Sequence, residues 1–159
     1  MNDNKFVVFF YLFSLNLVTF HQKRVTMARI PRLVNRSVET IYHVVSRSAV
    51  GGFPMEEVEK DKFLDLLKEL SWLYFIEVLG FCIMSNHFHC AVKMKTEKDY
   101  SDAEMRLRWD KFYQGSKVFR SEHIPSYRER FSDISQFSKD LKQSFTRFYN
   151  NKFNRKGYF

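Results

Sequence analysis

Cysteine, proline and glycine are all scarce in this chain of 159 residues, at two, three and five copies. Two cysteines, Cys82 and Cys90, are too few to build a disulfide-held secreted domain, which points to a reducing, cytoplasmic setting. So little glycine and proline excludes collagen-like and low-complexity chains, and there is no internal repeat. Acidic residues are the minority charge, 18 against 26 Lys and Arg, for a net charge of +8 and a pI near 9.5. The natural partner of such a surface is a polyanion, either nucleic acid or an anionic membrane.

Long apolar runs are equally few. The single candidate is Phe6 to Phe20 (FVVFFYLFSLNLVTF), which Asn16 interrupts and which falls short of the roughly 20 residues a membrane span needs. Only Lys5 precedes it, against Asp3, and no small-x-small cleavage site follows, so it lacks the other parts of a signal peptide. The expectation is that translation starts at Met27, before ARIPRLV. Residues 1–26 are then an over-annotated extension or a tail, residues 27–159 form the domain, and no membrane partner is expected.

What remains is ample for one core. Apolar residues make up 45% of the chain and Phe alone contributes 18 side chains, most of which are assigned to the interior. After a basic lead-in (Arg29, Arg32, Arg36), the β-branched run Thr40 to Arg47 is expected to be a strand, closed by Gly51, Gly52 and Pro54. From Glu56 to Trp72, Phe63, Leu66, Leu67 and Leu70 recur at helical spacing among charged residues, the pattern of an amphipathic helix. Phe75 to Met84 and His87 to Lys95 are two β-prone runs joined by Ser85-Asn86, a hairpin loop in which Asn tolerates the left-handed conformation. The charged stretch Thr96 to Phe131, with Gly115 and Pro125, is expected to be an irregular insertion carrying one short helix at Ser101 to Tyr113. A last helix runs from about Asp133 to Asn151, opened by a capping-box-like Asp133-x-x-Gln136, with Ile134, Phe137, Leu141, Phe145 and Phe148 on one stripe.

Strand, helix, strand, strand, helix is the order of a ferredoxin-like α+β domain, an antiparallel sheet with its helices on one face. Such a domain closes with a fourth strand, yet only FNRKGYF follows the last helix, so the fourth strand is expected to be missing.

The residues that carry chemistry are His87 and His89. Side chains alternate across a strand, so His-Phe-His puts two imidazoles on one face, about 7 Å apart along the chain, where they can clasp one divalent ion. In the expected register Met84 pairs with His87 and Cys82 with His89. That puts Cys82 on the histidine face and Cys90 on the other, which disfavours a disulfide and leaves open a zinc site of Cys82, His87 and His89. Two ordinary strand histidines are the plainer alternative.

The segment CIMSNHFHCAV, together with the strand YHVVSRS, the helix EEVEKDKFLDLL and the late helix SKDLKQSFTRFYNNKFNRKG, resembles the single-tyrosine transposases of the HUH superfamily. The likeness is greatest to the branch related to REP-associated tyrosine transposases, and it covers roughly Met27 to the end of the chain. It implies an insertion-sequence transposase domain that nicks and rejoins single-stranded DNA with hairpin ends, usually as a homodimer. It implies too that His87 and His89 hold Mg²⁺ or Mn²⁺. In that family the nucleophilic tyrosine and a third metal ligand lie on a helix after the fourth strand. No catalytic tyrosine is identified here: the family pattern places it beyond Phe159, and the chain is expected to be a truncated, inactive transposase. Tyr149 is rejected as a substitute because it falls in the earlier helix, beside the apolar stripe.

Contacts to DNA phosphates are expected from Arg47 at the end of the first strand, from Lys139, Lys142 and Arg147 off the apolar stripe of the last helix, and from Lys152, Arg155 and Lys156 beyond it. His43 shares the face of Arg47 and is expected to be a packed, hydrogen-bonded strand histidine. Glu77 could approach the metal only if the register allows. The alternative function is a non-catalytic module binding single-stranded nucleic acid, which would need exposed sheet aromatics.

Overall fold

The computed structural model describes residues 38–159 apart from Phe53 and Glu97. The basic lead-in and the expectations for residues 1–26 and for a start at Met27 lie outside them. The element order is β1 (Thr40–Arg47), α1 (Glu57–Leu73), β2 (Ile76–Ile83), β3 (His87–Met94), α2 (Asp102–Tyr113), α3 (Ile124–Phe131) and α4 (Ile134–Lys152), with one 3-10 turn, Ser121–His123, leading into α3. The strands form an antiparallel sheet in the order β1-β3-β2. This is a small α+β domain, consistent with a ferredoxin-like arrangement that lacks a strand, and among the described residues nothing pairs with the outer edge of β1.

Period-two alternation on β3 sets the layers. Phe88, Cys90, Val92 and Met94 are buried, while His87, His89, Ala91 and Lys93 between them are only half-buried. The buried face is covered by α1 and α4. Phe63 of α1 meets the Phe88 ring at 4.5 Å and the Phe145 ring of α4 at 5.2 Å, so both helices lie on the same side. Helical spacing of Phe63, Leu66, Leu67 and Leu70 gives α1 its buried stripe. Its first turn is fixed by the Glu56 N–H donating to Glu59 Oε2 at 3.1 Å. On α4, Asp133 caps the helix by accepting from the Ser135 and Gln136 N–H groups. Its buried stripe is Ile134, Phe137, Leu141, Phe145 and Tyr149, so Tyr149 takes the place expected of Phe148, which is half-buried. The Phe residues do serve chiefly as core, with Phe63, Phe75, Phe88, Phe131, Phe137 and Phe145 all buried.

Two expectations need correction. Thr96 to Phe131 is not irregular beyond its one helix: α3 follows α2, because Pro125 stands in the first turn, where its missing N–H costs no bond and its fixed φ suits the helix. Trp109 and Phe131 are buried between these helices and the rest of the core, and Arg108 is held over the rings of Trp72 and Tyr100 at 4.8 and 4.2 Å. Second, Asn86 does not use the left-handed region; among the described residues the non-glycine positions with positive φ are Gln114 and Asn154. The hairpin closes instead through the Met84 N–H and the His87 carbonyl at 2.8 Å. In addition, β2 carries a register shift between Val78 and Gly80, so Leu79 is an extra residue without a partner on β3.

Among the described residues no helix is long and apolar enough to cross a membrane.

Candidate functional site

The sheet face away from α1 and α4 is where the histidines stand. In the register, His89 lies between Val45 of β1 and Cys82 of β2, and His87 lies opposite Arg47. The expected pairing of Cys82 with His89 is thus found, with Cys82 exposed, Cys90 buried and both thiols free. Burial pushes the Cys90 thiol up to about 11, which keeps it a neutral thiol near neutral pH.

Ring geometry describes how the histidines stand to one another. His87 and His89 have ring centres 5.2 Å apart with planes at 76°. With a metal–nitrogen bond of about 2.1 Å, two imidazoles on one ion place their centres on the order of 5 Å apart, a separation this pair shares with ordinary neighbours on one strand face. His43 is the diagonal neighbour of His89 across the β1–β3 pair. Its Nε2 is 3.0 Å from His89 Nδ1, with ring centres 5.1 Å apart and planes at 23°. His43 is therefore hydrogen-bonded, as expected, but exposed rather than packed. His87 Nδ1 is 2.7 Å from Asn86 Oδ1. Among the described residues no group of three His, Cys, Asp or Glu side chains is placed to hold one metal ion. The Cys82, His87 and His89 zinc arrangement finds no support in these positions.

Glu77 shares the histidine face, but the register sets it opposite Lys93, four residues along from His89. Its carboxylate lies 2.8 Å from the Lys93 ammonium, which holds the carboxyl below its usual range. At roughly 3.3 Å per residue that is more than 10 Å from His89, out of reach of a common ion.

The basic residues divide into two groups. Arg47, His87 and Lys142 border one cavity of about 40 Å³ at the end of the sheet, whose walls also include Phe63, Phe88 and Phe145 of the side covered by the helices. This volume holds a water or two, not a nucleotide. Lys139 is exposed one turn before Lys142 on α4, and Arg147 is exposed one residue past Thr146. Lys152 is set apart, its Nζ lying 2.5 Å from Oε1 of the buried Glu59. Arg155 reaches back over the Tyr149 ring at 5.6 Å, and Lys156 is exposed. The fold thus brings Arg47 and Lys142 to the histidine end of the sheet and leaves the other cations along α4 and its tail.

None of the seven tyrosines in the described residues occupies a strand position on the histidine face. Tyr42 pairs with Val92 on the covered side. Tyr74 is buried, and its hydroxyl donates to Asp140 Oδ2 at 2.6 Å. Tyr149 is buried with its ring 4.4 Å from those of Phe153 and Phe159. That face carries no Phe, Tyr or Trp at a strand register: Phe88 is buried on the other side, and Phe81, opposite Cys90, also has a register of that side but is exposed.

Two residues of the site escape a reading of the sequence alone: Asn86, taken as a turn former, and His43, taken as packing. The available signals are an Asn directly before the first histidine and a strand order that makes His43 diagonal to His89.

Compared with protein-family models, with curated proteins and with solved structures, the chain matches none of them.

Proposed function

We propose that the chain is a DNA transposition domain of the single-tyrosine HUH type, which binds single-stranded DNA with hairpin ends and holds Mg²⁺ or Mn²⁺ between His87 and His89. The observation that carries this reading is the pair of imidazoles on the face of β3 away from α1 and α4, at a ring separation compatible with one ion. When bound, such an ion supplies charge neutralisation at a phosphate oxygen. Arg47 and Lys142, at the same end of the sheet, bring positive charge to a phosphate chain running past His87. The described tyrosines offer no nucleophile on that face, so the described residues bind and orient a strand without supplying the attacking hydroxyl. A sheet that reads single strands by stacking needs exposed aromatics, and the histidine face has none, which favours this reading over an RNA-recognition type of module.

The test is fluorescence anisotropy with a labelled hairpin-bearing single strand and a duplex of the same length, across a salt series. The reading predicts preference for the hairpin strand and an affinity that falls steeply with salt. Preference for duplex, or an affinity insensitive to salt, overturns it.

A further inference from the structure

We propose that Asn86 and His43 are positioning residues that fix His87 and His89 as Nδ1–H tautomers, so that both Nε2 lone pairs are offered to one divalent ion. The inference rests on the metal reading of the histidine pair and adds to it the two groups that make the pair competent.

A neutral imidazole carries its proton on one nitrogen and a lone pair on the other, and which nitrogen can bind a metal is set by the hydrogen bond the other makes. His87 Nδ1 lies 2.7 Å from Asn86 Oδ1. An amide oxygen only accepts, so the proton of this bond is on His87 Nδ1 and the lone pair is on Nε2. His89 Nδ1 lies 3.0 Å from His43 Nε2, and one of the two nitrogens must donate. Donation by His89 leaves its Nε2 bare, whereas donation by His43 leaves the proton of His89 on Nε2 and blocks that atom. The first arrangement gives both histidines the same tautomer. It uses His43 as an acceptor, the role carbonyl and carboxylate oxygens take behind other metal-bound imidazoles.

The loop supplies a second reason to assign Asn86 this role. Its backbone avoids the positive φ for which Asn is usually chosen in a tight hairpin. An Asn needed only for the turn leaves its amide free, whereas here the amide oxygen is spent on the ring of the next residue.

The test is long-range proton–nitrogen correlation NMR on the full ¹⁵N-labelled chain without metal, at a pH where the imidazoles are neutral, with Mn²⁺ titration alongside. His87 and His89 are expected to show a protonated Nδ1 and a bare Nε2. In Asn86→Ala, His87 shifts towards the Nε2–H tautomer and Mn²⁺ affinity falls about 10-fold. Asn86→Asp, which keeps an acceptor in place, retains both properties. His43→Phe moves the tautomer of His89 but not that of His87. Wild-type His87 or His89 with its proton on Nε2, or an Asn86→Ala variant with an unchanged His87 spectrum, overturns the proposal. The metal-free spectra decide the positioning, and the Mn²⁺ titration of the wild type decides the metal reading beneath it, so the two fail separately.

Discussion

Lys152 Nζ lies 2.5 Å from Glu59 Oε1 and joins the last turn of α4 to the first turn of α1 across 93 residues of sequence. The same carboxylate accepts the Glu56 N–H through its other oxygen. Glu59 is almost wholly buried, so its side chain fixes both the start of one helix and the end of the other. Glu59→Ala removes a helix-start bond and a partly screened ion pair, and is expected to cost about 2 kcal/mol in urea denaturation. Lys152→Ala leaves the Glu56 bond in place and is expected to cost less while hardly changing affinity for DNA.

The same pair predicts acid sensitivity. Burial opposes ionisation of Glu59, but the Lys152 ammonium and the Glu56 and Glu59 amides outweigh it and hold the carboxyl below its ordinary range. The folded state therefore binds this proton less readily than the unfolded chain does. The stability Glu59 contributes is complete above the unfolded value of about 4.3 and is lost as the pH falls through it towards the lower folded value. Glu59→Gln should flatten the wild-type decline between about pH 5 and 3. Parallel stability curves for the two proteins would contradict this.

The thiols should separate cleanly. Cys82 is exposed, whereas Cys90 is buried and its thiol is raised to about 11. One equivalent of a thiol reagent is expected to react with the native chain near neutral pH and a second only after denaturation. A fast second equivalent in the native state would place β3 away from the helices.

Much of this fold is legible in the sequence because its signals are local. The limits of β1 coincide with Thr40 to Arg47, and α1, β2, β3 and α4 fall within one residue of expectation, each marked by its own hydrophobic period. That the two histidines share one face, with Phe88 on the other, follows from alternation alone. The rest depends on long-range packing. α3 was hidden because Pro125 reads as a breaker until its place in a first turn is known. Tyr149 displaced Phe148 from the stripe because its ring packs against Phe153 and Phe159. Lys152 reads as a free cation until Glu59, far off in sequence, is set beside it. The hydrogen bond between His43 and His89 follows from the pairing of β1 with β3, which no local pattern states.

If Arg47 and Lys142 meet phosphates at the end of the sheet, replacing either by Ala should weaken binding of a hairpin strand. It should also lower the slope of log affinity against log salt by about 0.7 to 1. The measurement is the anisotropy salt series on each variant. An unchanged slope in both would remove these residues from the interface.

The central claim is that His87 and His89 share a divalent ion, and Mn²⁺ titration followed by electron paramagnetic resonance tests it most directly. The account predicts weak, saturable binding of one Mn²⁺ per chain, lost in both His87→Ala and His89→Ala while the fold is retained by circular dichroism. Equal Mn²⁺ affinity in the wild type and both variants would contradict it.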